Sequence, residues 1–366
     1  MKITTIIGAR PQFIKAAVVN RAVQKHNMGG KRPEIHEFIV HTGQHYDDNM
    51  SAVFFRELNI PEPNLNLGIG SGPHGQQTGQ MLIRIEEVLL SEKPNWVLVY
   101  GDTNSTLAGA LAAAKLRIPI AHVEAGLRSF NRGMPEEYNR VLTDHCSDLL
   151  FCPTQTAIHN LKNEGITEGV YWVGDVMYDS VLYNINLAER NSRILEKLNL
   201  RPKGYALATV HRSENTDEPK RLKSILSALD KIAQNECHVI VPLHPRTRKK
   251  LSMSISYPLN NLVLIDPVSY LDMLLLEKQA KVILTDSGGV QKEAFWFEVP
   301  CVTLRNETEW FETVEAGWNF LAGTDNLSII KAFNAASDSV LKTPPKFFGD
   351  GNASNLILQY LISASL

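Results

Sequence analysis

The chain has few of the residues that define several protein classes. Among its 366 residues there are only four cysteines, and no two of them form a Cys-x-x-Cys pair. This excludes a disulfide scaffold and argues against a zinc cluster. We interpret all four as reduced packing residues, which suits the cytoplasm. They are Cys146, Cys152, Cys237 and Cys301.

Long apolar runs and an excess of one charge are also missing. No continuous apolar stretch approaches the roughly 18 residues of a membrane span, so we expect no membrane insertion. Residues 1–8 read as a short strand rather than a signal peptide, because no long apolar region follows. The 37 basic and 39 acidic residues give a net charge of −2, which excludes broad attraction to nucleic acid. Phosphate-binding P-loops, nucleophile elbows and catalytic Cys–His patterns are absent as well.

The chain does contain short apolar runs that end abruptly in polar residues, with helical periodicity between them. Continuous apolar runs suit strands buried on both faces of a parallel sheet. Strands that alternate with helices predict a doubly wound α/β fold. The runs are Ile3–Ile7, Phe38–Val40, Trp96–Tyr100, Ile120–Val123 and Leu149–Cys152, then Tyr205–Val210, Val239–Leu243 and Val282–Leu284.

The length and the repeated pattern predict two domains. We place the first at residues 1–175 and the second at residues 176–353, with a C-terminal helix at about 354–366 that crosses back to the first. Ligands of open α/β sheets bind outside the carboxyl ends of the strands. Two such sheets that face each other predict a binding site in the cleft between the domains.

A phosphate-binding turn is predicted at Ser287-Gly288-Gly289, between a buried strand and a helix. Glycines let the backbone approach an anion, and the free amides at a helix start point toward it. The alternative is a tight turn with no ligand. Glu293, one turn further along, fits a ribose-binding carboxylate or a surface carboxylate.

A second strand-turn-helix segment, Gly8–Lys15, contains Arg10 and Lys15 near the helix start. Cations are disfavoured there by the helix dipole, so an anionic diphosphate would explain them. The alternative is a solvated basic pair.

Three carboxylates are candidates for acid–base chemistry. Asp102 and Glu124 follow buried strands, and Glu136 lies in the first turn of a helix that also carries Arg140. Burial can raise a carboxyl pKa into the range useful for proton transfer. Each residue alone is equally well explained as a helix cap or an ion-pair partner.

Histidines follow two strands of the second half. His211 with Arg212, and His244 with Arg246, fit contacts to phosphate or hydroxyl groups. No histidine pair has the helical spacing of a metal site, so we expect no metal. The glycine-rich stretch 68–75 is a loop rather than a dinucleotide fingerprint, because it does not link a first strand to its helix.

The chain resembles the non-hydrolysing UDP-N-acetylglucosamine 2-epimerase family over essentially its whole length. The matching segments are Gly8–Lys15, Thr42–His45, Gly101–Thr106, His122–Arg128, Pro135–Arg140, Thr209–Asn215, Thr285–Glu293 and Arg305–Trp310. The resemblance implies the glycosyltransferase-B architecture, two Rossmann-like domains facing across a cleft, and a homodimer. It also implies a UDP-sugar substrate that is epimerised at carbon 2 with no cofactor.

The resemblance implies a role for each candidate residue. Asp102, Glu124 and Glu136 would serve proton transfer, with His211 in the catalytic set beside the diphosphate. Arg140 and Arg305 would line the cleft. The diphosphate would be held by Arg10, Lys15, His211, Ser287, Gly288 and Gly289, with Glu293 on the ribose.

The segment before Pro135 resembles one branch of the family, which acts on UDP-2,3-diacetamido-2,3-dideoxyglucuronate for surface polysaccharides. A sugar carboxylate needs a cation, and Arg128, Arg132 and Arg246 are candidates. The alternatives are UDP-N-acetylglucosamine as substrate, a glycosyltransferase, a hydrolysing epimerase and a nucleotide-sensing module.

Overall fold

The protein is described from a computed structural model that covers residues 1–44, 58, 61–243, 247–248, 261–340 and 342–365. The chain divides into two compact units. The first comprises Met1–Leu182 together with Lys346–Leu366, and the second comprises Tyr183–Pro345. The division falls within a helix, Val176–Asn191, whose first residue is the predicted start of the second domain.

The first unit contains a seven-stranded sheet in which every neighbouring pair is parallel. Its spatial order is β3-β2-β1-β4-β5-β6-β7. The strands are β1 Lys2–Ile7, β2 His36–His41, β3 Leu65–Asn66, β4 Trp96–Tyr100, β5 Ile120–Val123, β6 Leu149–Cys152 and β7 Val170–Trp172. From β1, the strands β2 and β3 are added on one side and β4 to β7 on the other, so the switch point lies between β1 and β4. Ligands of open α/β sheets bind at such a switch point.

Helices connect these strands and bury the faces that the periodicity predicts. They are α1 Arg10–Met28, α2 His74–Glu92, α3 Asn104–Lys115, α4 Pro135–Cys146, α5 Gln155–Asn163 and α6 Val176–Asn191. On α1 the predicted apolar face, which includes Phe13 and Val18, is buried, and β4 is buried along its whole length. The C-terminal helix of the chain, Ala353–Ser363, packs against α1, and Tyr360 stacks on Tyr171 with ring centroids 3.9 Å apart.

The second unit repeats the design with a six-stranded parallel sheet in the order β10-β9-β8-β11-β12-β13. The strands are β8 Tyr205–Thr209, β9 His238–Pro242, β10 Leu262–Ile265, β11 Val282–Thr285, β12 Cys301–Thr303 and β13 Asn319–Leu321. Its order reverses between β8 and β11. The two Rossmann-like parallel sheets predicted from the sequence are confirmed.

The helices of the second unit complete its core. They are α7 Ile194–Lys197, α8 Ser213–Thr216, α9 Pro219–Asn235, α10 Tyr270–Gln279, α11 Gly288–Trp296, α12 Phe311–Glu315 and α13 Asn326–Asp338, and α14 is the C-terminal helix Ala353–Ser363 of the first unit. The α9 face that includes Leu222, Ile225 and Leu229 is buried against the sheet, as predicted. Among the residues described, no helix is both long and apolar enough to cross a membrane.

Candidate active site

One glutamine joins the two turns that follow β1 and β4. The Gln12 side chain accepts hydrogen bonds from the backbone amides of Gly8 (2.8 Å) and Ala9 (3.0 Å). It donates to the Tyr100 carbonyl (2.7 Å) and the Thr106 hydroxyl (2.9 Å). All four bonds are buried, so the two turns at the switch point of the first sheet form one rigid frame.

A buried ion pair between Lys15 and Glu124 lies within this frame. Burial alone would lower the pKa of Lys15, but the Glu124 carboxylate outweighs it and the net pKa is raised. Glu124 has a φ of +73°, and Gly101 beside it has a φ of +63°. A Cβ atom on Gly101 would lie 3.2 Å from Glu124 Oε2. A non-glycine residue in this conformation is strained, which is common at functional sites.

Arg140 on α4 bridges two carboxylates. Its Nη2 donates to Asp102 Oδ2 (2.5 Å), and its Nη1 donates to Glu137 Oε2 (3.1 Å). Asp102 retains 34% of its side-chain exposure, so one side of its carboxyl group is open to solvent. Arg140 therefore balances the charge of Asp102 on one side of the carboxyl group, and the other side faces solvent.

The two adjacent glutamates of α4 have different surroundings. Glu137 is buried and accepts hydrogen bonds from the Ser129 amide (3.0 Å), the Ser129 hydroxyl (2.8 Å) and the Phe130 amide (2.9 Å). Burial would raise the pKa of Glu137, but these bonds and Arg140 outweigh it and the net pKa is lowered. Glu136 is exposed. Glu137 therefore fixes the loop before the helix, and Glu136 is the one that a ligand could reach.

Arg128 belongs to a buried network, and its predicted contact with a sugar carboxylate does not fit these surroundings. Its guanidinium donates to Asp144 Oδ2 (2.7 Å) and to both oxygens of Glu164 (2.7 Å each), and its side chain is 1% exposed. Asp144 also accepts from the Gly126 amide (3.1 Å) and contacts His122 Nδ1 (2.7 Å). Arg128 is thus a structural partner of these two carboxylates.

His122 links this network to the turn after β4. Its Nε2 lies 2.8 Å from the Gly101 carbonyl oxygen, while its Nδ1 lies 2.7 Å from Asp144 Oδ1. Asp144 thus reaches the Glu124–Gly126 turn directly and the Gly101 turn through His122. Both turns that carry candidate carboxylates are held by one buried aspartate.

Two predicted basic residues of the first unit are accessible. Arg10 is the first residue of α1 and is exposed. Arg132 is exposed in the loop before α4, and within the described part of the chain its guanidinium makes no hydrogen bond or ion pair. Of the two predicted sugar contacts that the structure describes, Arg128 and Arg132, it is Arg132 that remains available.

In the second unit, Asp286 organises the turn after β8. Its buried carboxylate accepts from the backbone amides of His211 (3.1 Å) and Arg212 (3.1 Å) and from Asn215 Nδ2 (3.0 Å). The His211 Nδ1 lies 3.3 Å from the same carboxylate, and 42% of the His211 side chain is exposed. His211 is thus oriented from one side and open on the other.

The start of α11 lies beside this turn, because β8 and β11 are neighbours in the sheet. Ser287 caps α11 by accepting from the Val290 amide, and Gly288 and Gly289 are the first two helical residues. Their amides have no intrahelical acceptor, so they form an anion-binding helix start.

Glu293, one turn further along α11, is 7% exposed and accepts a hydrogen bond from the Tyr270 hydroxyl (3.3 Å). Burial raises the pKa of Glu293 to about 7, and Lys292, Tyr270 and Glu277 only partly oppose this.

Arg305 is held by carboxylates of its own unit. Glu309 binds it with two hydrogen bonds (3.0 and 3.1 Å), and Glu214 accepts from its Nε (3.2 Å). The side chain is 6% exposed, so Arg305 is a buried, ion-paired cation rather than an open one. His244 and Arg246, also predicted as contacts, lie outside the described residues.

Sequence reasoning missed the buried residues whose hydrogen bonds fix the turns of the candidate site, chiefly Gln12, Asp144 and Asp286. Gln12 sits three residues into the predicted turn, where a glutamine side chain can return to the backbone. Asp286 lies two residues after a predicted strand, which is the same position that selected Asp102. Asp144 carries no such signal, because its partners come from distant segments. Within the described ranges, no group of three or more His, Cys, Asp or Glu residues is placed to hold a metal ion.

Comparison with known proteins decides the family. The model of the UDP-N-acetylglucosamine 2-epimerase family matches residues 28–362. The chain belongs to this family. Its members are UDP-sugar 2-epimerases, so the protein is an isomerase.

Full-length relatives of this epimerase agree. A UDP-N-acetylglucosamine 2-epimerase homolog of Methanococcus maripaludis is 58% identical over 369 residues, 99% of each chain. The UDP-2,3-diacetamido-2,3-dideoxy-D-glucuronate 2-epimerase of Pseudomonas aeruginosa is 51% identical over 367 residues, again 99% of each. The Methanocaldococcus jannaschii UDP-GlcNAc 2-epimerase, solved with UDP-GlcNAc and UDP, superposes with a TM-score of 0.86 at 47% identity, covering 99% of this chain and 100% of that one. These neighbours confirm the glycosyltransferase-B-like fold class.

Proposed function

We propose that this epimerase interconverts UDP-2,3-diacetamido-2,3-dideoxyglucuronate and its mannuronate epimer. The observation that carries the proposal is Arg132, an exposed cation four residues before Glu136 with no described partner. A carboxylate at carbon 6 of the sugar would supply that partner through charge-assisted hydrogen bonds. The 51% identity to the Pseudomonas aeruginosa enzyme supports the same substrate.

UDP-N-acetylglucosamine is the second candidate substrate. It is supported by the methanogen relatives, among them the Methanocaldococcus jannaschii enzyme that was solved with this sugar nucleotide. The two substrates differ at carbons 3 and 6 but present the same carbon 2 and the same diphosphate. The reaction proposed below therefore applies to either.

We propose that the reaction proceeds by elimination and re-addition of UDP. A base removes the proton from carbon 2, the C–H electron pair forms a double bond between carbons 1 and 2, and the bond from carbon 1 to the diphosphate oxygen breaks. UDP leaves with the electron pair of the broken bond between carbon 1 and the diphosphate oxygen. In the return step UDP attacks carbon 1 while an acid delivers a proton to the opposite face of carbon 2. Because UDP is a good leaving group, a proton with no adjacent carbonyl becomes removable.

The first unit would supply the proton-transfer groups. Asp102, held from behind by Arg140, and the exposed Glu136 are the accessible carboxyl groups, and Glu124 is paired with Lys15. Two carboxyl groups on opposite faces of the sugar would provide base and acid in each direction. Arg10 and Lys15 would stabilise the charge on departing UDP.

The second unit would bind the nucleotide. The free amides of Gly288 and Gly289 and the Ser287 hydroxyl fit the diphosphate, with His211 on its exposed side. Glu293 would accept hydrogen bonds from the ribose hydroxyls. Arg305 would support this region through Glu309 and Glu214.

The substrate proposal is tested by competition. Both UDP-sugars are supplied together, the products are followed by NMR, and we expect a higher kcat/KM for the glucuronate sugar. Arg132→Ala should lower that value about tenfold and leave UDP-N-acetylglucosamine unaffected, because only the former carries the carboxylate. Arg84→Ala, a change at another exposed arginine of the first unit, is the matched control. A comparable or higher kcat/KM for UDP-N-acetylglucosamine would overturn the assignment.

The residue roles are tested with the adjacent glutamates. Glu136→Gln should lower kcat by at least 100-fold with little change in UDP affinity or thermal stability, because Glu136 is exposed and serves proton transfer. Glu137→Gln should lower the unfolding temperature, because a buried acceptor of four hydrogen bonds is weakened. Full turnover in Glu136→Gln would remove Glu136 from the chemistry.

We also propose a homodimer formed through the helices of the first unit. Helices α2, α3 and α4 pack side by side, and large apolar residues are exposed on α2 and α4. They are Ile83, Leu90, Tyr138 and Leu142. Exposed apolar residues at this density mark association surfaces. Light scattering should give the mass of two chains for the wild type and of one chain for Leu90→Glu; a monomeric wild type would contradict the proposal.

A further inference from the structure

The side-chain carboxyl group of Glu277 is buried, and no hydrogen-bond donor of the described residues reaches it. It lies near the end of α10, directly after the buried residues Leu274–Leu276, and its exposed fraction is 0%. Both carboxyl oxygens are shielded from solvent, and no donor among the described residues reaches either one. An ionised carboxylate in such a place is costly, so the group must keep its proton.

Among the described residues, no cation contributes to the electrostatic environment of Glu277. Its electrostatic neighbours are Glu293 on α11, Tyr205 on β8 and Cys301 on β12, none of which carries a positive charge. The Tyr205 hydroxyl is already committed, since it donates to the Leu276 carbonyl (2.7 Å). Burial, with the nearby Glu293 carboxylate, raises the pKa of Glu277 well above its usual value.

A protonated carboxyl group is itself a hydrogen-bond donor, and the Glu277 and Glu293 side chains form a hydrogen bond with each other. Glu293 has two further favourable neighbours. The Tyr270 hydroxyl lies 3.3 Å from its Oε1, and the Lys292 ammonium, which sits 4.1 Å from the centroid of the Trp310 ring, adds a positive charge. The two glutamates therefore form one unit in which Glu277 donates and Glu293 accepts.

We infer that Glu277 is a positioning residue for nucleotide binding, whose protonated carboxyl group donates to Glu293 and keeps that carboxylate ionised and oriented toward the ribose hydroxyls. The inference rests on the proposed function, in which Glu293 binds the ribose. An ionised carboxylate accepts two hydroxyl hydrogen bonds, whereas a protonated one accepts them poorly. Ribose recognition should therefore follow the ionisation state of Glu293.

This ionisation is balanced near neutral pH. Burial raises the pKa of Glu293 to about 7, while Lys292, Tyr270 and the Glu277 hydrogen bond act in the opposite direction. Loss of the Glu277 donor removes one of the opposing contributions, so the pKa of Glu293 rises further. At pH 7 more of the enzyme then carries a protonated Glu293, and ribose contacts weaken.

The experiment compares UDP with its 2′,3′-dideoxy analogue, because their ratio of dissociation constants isolates the ribose hydroxyls and cancels the titration of the diphosphate. Calorimetry between pH 5.5 and 8.5 is applied to the wild type, Glu277→Leu and Glu277→Gln. In the wild type we expect the preference for UDP to rise with pH, with a midpoint near the pKa of about 7 assigned to Glu293. Glu277→Leu should lose about tenfold of that preference at pH 7 and recover it at alkaline pH.

Glu277→Gln is the decisive control, because its amide still donates to Glu293 without being able to ionise. It should keep the wild-type profile, and binding of the dideoxy analogue should be the same in all three proteins, which checks that each is folded. The inference is overturned if Glu277→Leu retains the wild-type profile or if Glu277→Gln behaves like Glu277→Leu. Equal binding of UDP and its dideoxy analogue by the wild type would also overturn the inference. Epimerase activity, measured separately by NMR, then shows whether the proposed epimerase function fails as well.

Discussion

Replacement of Asp144 by asparagine probes the buried network that holds the two turns of the candidate site. The carboxylate, 1% exposed, contacts His122 Nδ1 and Arg128 Nη1 at 2.7 Å and the Gly126 amide at 3.1 Å. Asparagine keeps the shape and one acceptor but removes the charge. Arg128 then keeps the Glu164 carboxylate and the Leu127 carbonyl as partners but loses the Asp144 charge.

The expected magnitude follows from these contacts. Breaking a buried ion pair from one side costs about 3–5 kcal/mol, and the retained amide oxygen places this change near the lower end, at about 3 kcal/mol. Hydrogen exchange of the β4 and β5 amides reports the opening free energy locally. A loss of about 3 kcal/mol accelerates that exchange by about two orders of magnitude.

The pH dependence gives an independent check. Burial would raise the pKa of Asp144, but His122 and Arg128 outweigh it, so the net pKa lies below its usual value of 3.8. A lowered pKa stabilises the fold above 3.8 and loses that contribution as the pH falls through the folded-state pKa. The difference between wild type and variant should therefore be constant from pH 5 to 8 and shrink below pH 4.

Glu92→Gln is the matched control, since it makes the same chemical change in a surface pair with Lys2 of the same unit (2.7 Å). Exposed pairs contribute less than about 1 kcal/mol, so exchange in β4 and β5 should change by no more than a few fold. Equal protection in the two variants would refute the role assigned to Asp144.

Three further changes test other parts of the site. Gly101→Ala should cost about 1–2 kcal/mol of stability and also lower kcat, because its Cβ would lie 3.2 Å from Glu124; Gly165→Ala, at a φ of +83° with open space around it, should cost similar stability and leave kcat intact. Lys15→Met should lower both the unfolding temperature and turnover, since Glu124 loses its buried partner, and retention of both would contradict the pairing. Asp286→Asn should weaken UDP binding about tenfold in calorimetry, because the turn that carries His211 loses its anionic acceptor; unchanged affinity would argue against that role.

The sequence was sufficient to predict two parallel α/β sheets and most of their central strands, because strand and helix periodicities are local. Runs such as Trp96–Tyr100, apolar throughout and followed by glycine and polar residues, appear as the buried central strands. The strands Leu262–Ile265, Cys301–Thr303 and Asn319–Leu321 were not predicted. In the last two, Thr303 and Asn319 interrupt the apolar run, so the pattern of a buried strand is incomplete.

The charges of the site were harder to assign. Glu136 and Glu137 are adjacent, and only the packing of α4 decides which of them is buried. Arg128 was predicted as a sugar contact because a sugar carboxylate needs a cation. Its actual partners, Asp144 and Glu164, are 16 and 36 residues away in the chain, beyond the reach of local patterns. Pairing of buried charges is a tertiary property, and sequence periodicity does not encode it.

Incubation of the enzyme with each candidate UDP-sugar in deuterium oxide tests the central claim most directly. Elimination and re-addition exchange the hydrogen at carbon 2 with solvent, so the epimer that forms should carry deuterium there, seen by NMR as loss of the proton signal at that carbon. UDP and sugar should remain joined at the end of the reaction. An epimer that keeps its original hydrogen at carbon 2 would contradict the account.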